Sequence, residues 1–232
     1  MPDRFYQTAL DLPVRSLTDR NDFFISGENA AAVALIDSFP NGFNGAVIFG
    51  EKGCGKTHLA HLFAAAVFQK TGKETAIMPA ADFDPSASAD FLEKSPYAVL
   101  ENAGRPVNER ALFHLLNAVK SLNGFVLLTA EQPPAAWGLV LPDLITRLKA
   151  LPCIKILPPG ETLMQAVLIK QFADRQLKVA PEVIAYLLKN MERSFKVAAM
   201  ITRRADELSL AERRAVTIPL VRRVLSELRG AV

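Results

Sequence analysis

The apolar stretch Ala46-Val47-Ile48-Phe49 runs directly into Gly50-Glu51-Lys52-Gly53-Cys54-Gly55-Lys56-Thr57, and a helical pattern follows at once. Leu59, Leu62, Phe63, Ala66 and Val67 recur at helical spacing, so one face of that helix is apolar. Strand, glycine-rich turn and helix in this order form a junction of an α/β sheet, and few folds accommodate it. The glycines at 50, 53 and 55 let the backbone turn its N–H groups inward at the positive end of the helix. The spacing G-x-x-x-x-G-K-[ST] adds Lys56, which reaches outer phosphates, and Thr57, whose hydroxyl holds Mg²⁺. Average composition produces the pattern in roughly one chain in a hundred of this length. Residues Gly50 to Thr57, with His58 after them, are therefore candidates to bind ATP or ADP with Mg²⁺.

A chain of 232 residues can bury a sizeable core as one large domain or two small ones. Half of it is hydrophobic, yet no apolar run reaches the roughly 18 residues that span a bilayer. Met1-Pro2-Asp3-Arg4-Phe5 lacks a basic segment followed by an apolar one, so no secretory signal is expected. Two cysteines, Cys54 and Cys153, make no disulfide framework, and a reducing cytosol is the expected setting. Cys153 reads as the start of a buried strand. The net charge is a mild +3. From Lys189 onward ten Lys/Arg stand against five Asp/Glu, an excess that reads as a solvated helical face rather than a DNA-binding surface.

Residues 1–22 are polar and irregular and read as an arm. Glu28 to Asp37 suggests a short helix, after which Pro40-Asn41-Gly42 and Asn44-Gly45 break the chain. Beyond the glycine-rich loop, Glu74–Met78 and Tyr97–Leu100 read as buried strands, Asn108–Leu122 as a helix, and Gly124–Thr129 and Cys153–Leu157 as two further strands. Five apolar strands separated by helices predict a five-stranded parallel sheet covered on both faces. After Pro158-Pro159-Gly160 every segment is helical in pattern: Glu161–Gln176, Pro181–Asn190, Phe195–Leu208 and Pro219–Arg229. The expected organisation is an arm at 1–22, an α/β nucleotide-binding domain at 23–158 and an all-helical lid at 159–232.

Hydrolysis needs more than a phosphate loop. Glu101 follows the strand Tyr97–Leu100 and is the candidate metal-binding acid. Many ATPases follow it with a second acid that orients the attacking water; here Asn102 follows, and an amide cannot take a proton. Thr129 ends another strand, placed either to sense the γ-phosphate or to cap the strand. Arg147 lies in Asp143-Leu144-Ile145-Thr146-Arg147-Leu148, a position from which an assembling ATPase offers a guanidinium to a neighbour's nucleotide. A surface arginine on a short helix is the alternative. In the arm, Gln7-Thr8-Ala9-Leu10-Asp11-Leu12 places a glutamine before spaced leucines, as a peptide that docks into an apolar pocket or packs on its own domain.

Together these positions resemble the DnaA-type AAA+ family, and within it the branch that inactivates the replication initiator. Gly50 to His61 (GEKGCGKTHLAH) is similar to the family's loop, and Glu109 to Asn117 (ERALFHLLN) to the segment after the metal-binding strand. Leu128-Thr129 to Pro133-Pro134 and then LPDLITRL at 141–148 are similar to the sensor and arginine-finger region, and Thr217 to Val221 to the last helix of the lid. The resemblance covers nearly the whole chain. The initiator proper continues into a helix-turn-helix domain of roughly a hundred residues, whereas this sequence ends at Val232.

The resemblance implies an ADP-bound AAA+ protein of the bacterial cytoplasm, associated with the replisome. Gln7, Leu10 and Leu12 would dock on the DNA polymerase sliding clamp, and Arg147 would act in trans on ATP held by DnaA. DNA contact would be indirect, through the clamp, and homo-oligomers are compatible with such a protein. Lys196 stands where the family's lid offers an arginine to the phosphates, keeping the charge without the fork. Thr146 stands where the family has serine. Asn102 and Lys196 both argue against vigorous turnover of the protein's own ATP. The competing expectations are a self-sufficient DnaA-related ATPase serving as a helicase loader, and a scaffold that holds nucleotide only for stability.

Overall fold

The structure, a computed structural model, describes residues 24–40, 42–83, 92, 95–104 and 108–230. The apolar alternation along the strands decides how its layers pack. Strands β1 (Gly45–Phe49), β2 (Ala76–Pro79), β3 (Tyr97–Glu101), β4 (Phe125–Ala130) and β5 (Cys153–Lys155) form one sheet in the order β2-β3-β4-β1-β5, all neighbours parallel. Period two sends Ala46, Ile48, Val99, Phe125 and Leu127 to one face, where α1 (Ala30–Asp37) and α2 (Lys56–Thr71) cover them. Val47, Ala98, Leu100, Val126 and Leu128 point the other way, under α3 (Glu109–Ser121) and α4 (Pro142–Lys149). On the first face the Phe39 ring meets Phe63, Tyr97 and Phe125 edge-on at 5.4, 5.6 and 5.4 Å, which fixes α1 against the sheet.

The strand ends depart from expectation. β5 is an edge strand of three residues, with Cys153 and Lys155 exposed, so Cys153 does not open a buried strand. β2, at the opposite edge, is only half-buried. Both follow from strand order, because only β3, β4 and β1 have neighbours on each side.

Four further helices, α5 (Glu161–Asp174), α6 (Pro181–Asn190), α7 (Phe195–Glu212) and α8 (Ile218–Gly230), pack around an apolar core of their own that includes Met164, Leu168, Phe172, Leu187, Ile201 and Val221. Pro181 occupies the first turn of α6, where the missing N–H costs nothing. Across α7 and α8, Arg204 bridges Glu207 and Glu227, and Arg223 pairs with Glu212. These pairs lie on the exposed seam between the two helices and leave the basic excess of this part of the chain in place.

Gly124 joins α3 to β4 where no side chain fits. A Cβ there would strike the Pro96 carbonyl oxygen and lie 2.7 Å from Pro96 Cβ, while Phe125 N–H already donates to that carbonyl at 3.0 Å. Gly124→Ala is expected to lose about 2–3 kcal/mol of stability as β4 shifts off β3, measured as a lowered urea midpoint. An unchanged midpoint would show that the loop before β3 yields freely.

Candidate phosphate-binding site

Parallel strands bring their carboxyl ends to one edge of the sheet, and the candidate residues gather there. The loop Gly50–Gly55 leaves β1 and closes on α2, whose N-cap Gly55 has φ 105° and supplies no side-chain cap. The first-turn N–H groups of α2 therefore face the inside of the loop at the positive end of the helix. Lys56 is 8% exposed. Its ammonium donates to the carbonyls of Gly50 and Glu51, both at 2.8 Å, and stands 3.8 Å from Cys54 Sγ. Thr57 is exposed on the same turn. Burial pushes the Cys54 thiol pKa up, against a smaller opposing pull from Lys56, so it stays protonated near neutrality. His58 is pushed down by burial and by neighbouring His61, which keeps its imidazole neutral at pH 7.

Glu101 ends β3 and Asn102 follows it, and β4 separates that strand from β1, so the acid and the loop stand about 10 Å apart across the edge. Asn102 adopts φ 59°, a left-handed conformation that asparagine tolerates better than most residues. Thr129 is 1% exposed. Its hydroxyl accepts from the Asn102 N–H at 3.3 Å, and its carbonyl accepts from Ala103 N–H at 2.8 Å. Thr129 therefore ties the tip of β3 to β4. The carboxylate that shares a cavity of about 150 Å³ with Asn102 is Glu131, one residue beyond β4, which no sequence motif singled out.

The lid stands over the loop. Phe195 N–H donates to the Gly53 carbonyl at 3.3 Å, and a Cβ on Gly53 would collide with the Ser194 hydroxyl. Gly53 has φ 83°, and a Cβ on Gly55 would lie 3.0 Å from the Phe195 ring. The loop is glycine at these two positions for its own turn and for the close approach of α7. Lys196 is exposed and lines, with Lys52 and Arg229, a cavity of about 650 Å³ beside Gly53. A second cavity, of about 140 Å³ and mostly apolar, lies between the loop and the lid, with Phe24, Asn29, His58, Leu163, Gln171 and Phe195 in its wall. Gln171 is held there by the Thr202 hydroxyl at 3.0 Å, and Asn29 by its bonds to Ser26 N and Phe24 O. Of these, only His58 stands next to a motif legible in the sequence, since the wall is assembled from segments far apart in the chain.

Arg147 lies elsewhere. It sits in the last turn of α4 and lines a cavity with Asn44, the residue before β1, and Leu151. Gly50 leaves the other end of that strand, roughly 15 Å away at the rise of a β-strand. The Arg147 guanidinium is 5.1 Å from the Phe113 ring centroid, and among the described residues no carboxylate pairs with it. Gln7, Leu10 and Leu12 fall outside the described residues.

A five-stranded parallel sheet in this order, a glycine-rich loop after its interior strand β1 and helices packed over that loop make up the AAA+ fold. Residues 161–225 match the family model described as Hda, lid domain. The fold superposes on domain III of the Thermotoga maritima replication initiation protein DnaA with TM-score 0.78 at 15% identity, covering 93% of this chain and 98% of that one. AMPPCP-bound DnaA from Aquifex aeolicus gives 0.69 at 17% identity, covering 94% and 71%. The Thermotoga maritima RuvB Holliday junction branch migration motor gives 0.69 at 15% identity, covering 91% and 72%. The chain thus has the fold of DnaA domain III, and its carboxyl-terminal helices at 161–225 match an Hda-type lid. Among the described residues no helix is long and apolar enough to cross a membrane.

Proposed function

We propose that this protein is a nucleotide-bound regulator that switches off the replication initiator DnaA by stimulating hydrolysis of its ATP. One observation carries the reading. Arg147 is at the opposite end of β1 from its own phosphate loop, on an aromatic surface and with no carboxylate neutralising it among the described residues. A guanidinium so placed is useless to its own nucleotide and available to another molecule's. Phosphoryl transfer spreads negative charge over the γ-phosphate oxygens, and an arginine supplied in trans stabilises that charge.

The protein's own pocket holds ADP in preference to turning over ATP. Loop N–H groups and Lys56 take the phosphates, and Lys196 approaches them from the lid. The apolar cavity against Phe195 and Leu163 takes the nucleoside. Mg²⁺ keeps most of its waters and binds through phosphates plus one or two protein oxygens. Thr57, exposed beside the loop, and Glu101, half-exposed at the end of β3, fit that need, and no cluster of three acids is required. Asn102, in place of a water-orienting acid, supports an idle site. The arm at 1–22 docks on the sliding clamp, the α/β domain at 23–158 presents the finger, and the lid at 159–232 closes on nucleotide, in a cytoplasmic protein held at the replisome.

The test is timed conversion of ATP to ADP on DnaA mixed with this protein and with clamp loaded on DNA. Acceleration is expected, and Gln7→Ala, Leu10→Ala and Leu12→Ala together are expected to abolish both it and retention on a clamp column while leaving the circular dichroism spectrum intact. Unaltered retention removes the arm from the mechanism. A second reading, a self-sufficient DnaA-related ATPase such as a helicase loader, has Glu131 beside Asn102 in its favour, since that carboxylate could serve as the missing base. It requires turnover by the isolated protein at low concentration that is lost in Lys56→Ala.

A further inference from the structure

The face of α3 that meets α4 carries two contacts that the fold alone does not demand. Glu109 and Phe113 are four residues apart, one turn along that face. The Glu109 carboxylate accepts from Val140 N–H at 3.1 Å with each oxygen, and from Leu141 N–H at 2.7 Å. Leu141 is the N-cap of α4, so Glu109 ties down from another helix the two residues that lead into α4, with its charge at the favourable end of the dipole. One turn further, the Phe113 ring lies under the Arg147 guanidinium at 5.1 Å. The same α3 face thus holds the start of α4 and the arginine in its last turn.

From this we infer that Glu109 and Phe113 are positioning residues for Arg147: one fixes the helix that carries the guanidinium, the other restrains the guanidinium itself. The inference rests on the regulator reading and deepens it. A free arginine side chain samples many rotamers, and ordering it only as the transition state forms adds that cost to the barrier rather than to docking. An aromatic face restrains it beforehand without neutralising its charge, which a carboxylate would do. Glu109 is needed because α4 has only eight residues and its register decides where Arg147 emerges. A displacement of about 1 Å at a reacting centre costs roughly a hundredfold in rate.

The experiment uses the full chain with ATP-loaded DnaA and clamp on DNA, and reads both the maximal stimulated rate and the concentration giving half of it. Phe113→Leu is expected to lower the maximal rate about tenfold while leaving the half-maximal concentration unchanged. Phe113→Tyr keeps the ring and is expected to stay within about twofold of the parent. In an Arg147→Ala background Phe113→Leu adds nothing further. Glu109→Gln is expected to give a similar loss and to speed amide hydrogen exchange at Val140 and Leu141 in the isolated chain. In nitrogen-labelled protein the Arg147 Nε–H resonance, shifted by the Phe113 ring, moves to the random-coil position in Phe113→Leu.

A full maximal rate in Phe113→Leu, with the rate of Arg147→Ala lost, overturns this inference and leaves the regulator reading standing. A raised half-maximal concentration at unchanged maximal rate, or a further loss in the double variant, assigns Phe113 to docking or folding and overturns it as well. A rate untouched by Arg147→Ala overturns both.

Discussion

Arg147→Ala is expected to cut stimulated ATP hydrolysis on DnaA by roughly 10³–10⁵-fold, about 4–7 kcal/mol of transition-state stabilisation. Little of that loss should come from misfolding. The side chain is half-buried over Phe113, and no carboxylate partner among the described residues is orphaned by its removal. Thermal unfolding of the variant should therefore match the parent, and clamp retention should be intact. Arg147→Lys is expected to recover only part of the rate, because an ammonium neither stacks flat on Phe113 nor presents two parallel donors. Single-turnover conversion of ATP on DnaA, at saturating regulator, is the measurement. A loss below about tenfold would mean that another group supplies the charge.

Lys56→Ala is expected to weaken nucleotide binding by at least about a hundredfold, since hydrogen bonds to charged groups are worth about 1.5–3 kcal/mol each and the ammonium can make two or three. The substitution also removes a brace. Lys56 bonds the Gly50 and Glu51 carbonyls and so holds the first half of the loop against its second half. Titration calorimetry with ADP and with ATP in Mg²⁺ measures the loss, and affinity retained within tenfold would mean that the loop N–H groups alone carry the phosphates. Because α7 rests on Gly53 and Gly55, the same variant is expected to loosen the lid, visible as faster exchange in the first turn of α7.

How much of this was readable from the chain depends on how local each signal is. The phosphate loop is eight contiguous residues, and the strand before it and helix after it are equally local. The parallel sheet was legible for the same reason, as was the helical pattern beyond Pro158. Strand exposure was not. Cys153-Ile154 opens an apolar-looking segment despite Lys155, and only the strand order puts it at an edge. Thr129 stands at a strand end in the sequence, but whether its hydroxyl faces a ligand or the Asn102 N–H depends on how β3 and β4 align.

The order of residues along the chain settled which chemistry was available: a phosphate loop, an acid beside an amide, and a lone arginine before the last strand. Only tertiary packing decided where each would act. It drew Phe24, His58, Leu163 and Phe195 into one cavity, and it carried Arg147 to the far end of β1 and laid it on Phe113. The reason is range. Backbone geometry and side-chain periodicity couple residues a few positions apart, whereas a cavity wall or a guanidinium on a ring is made by segments whose meeting depends on the burial of the whole core.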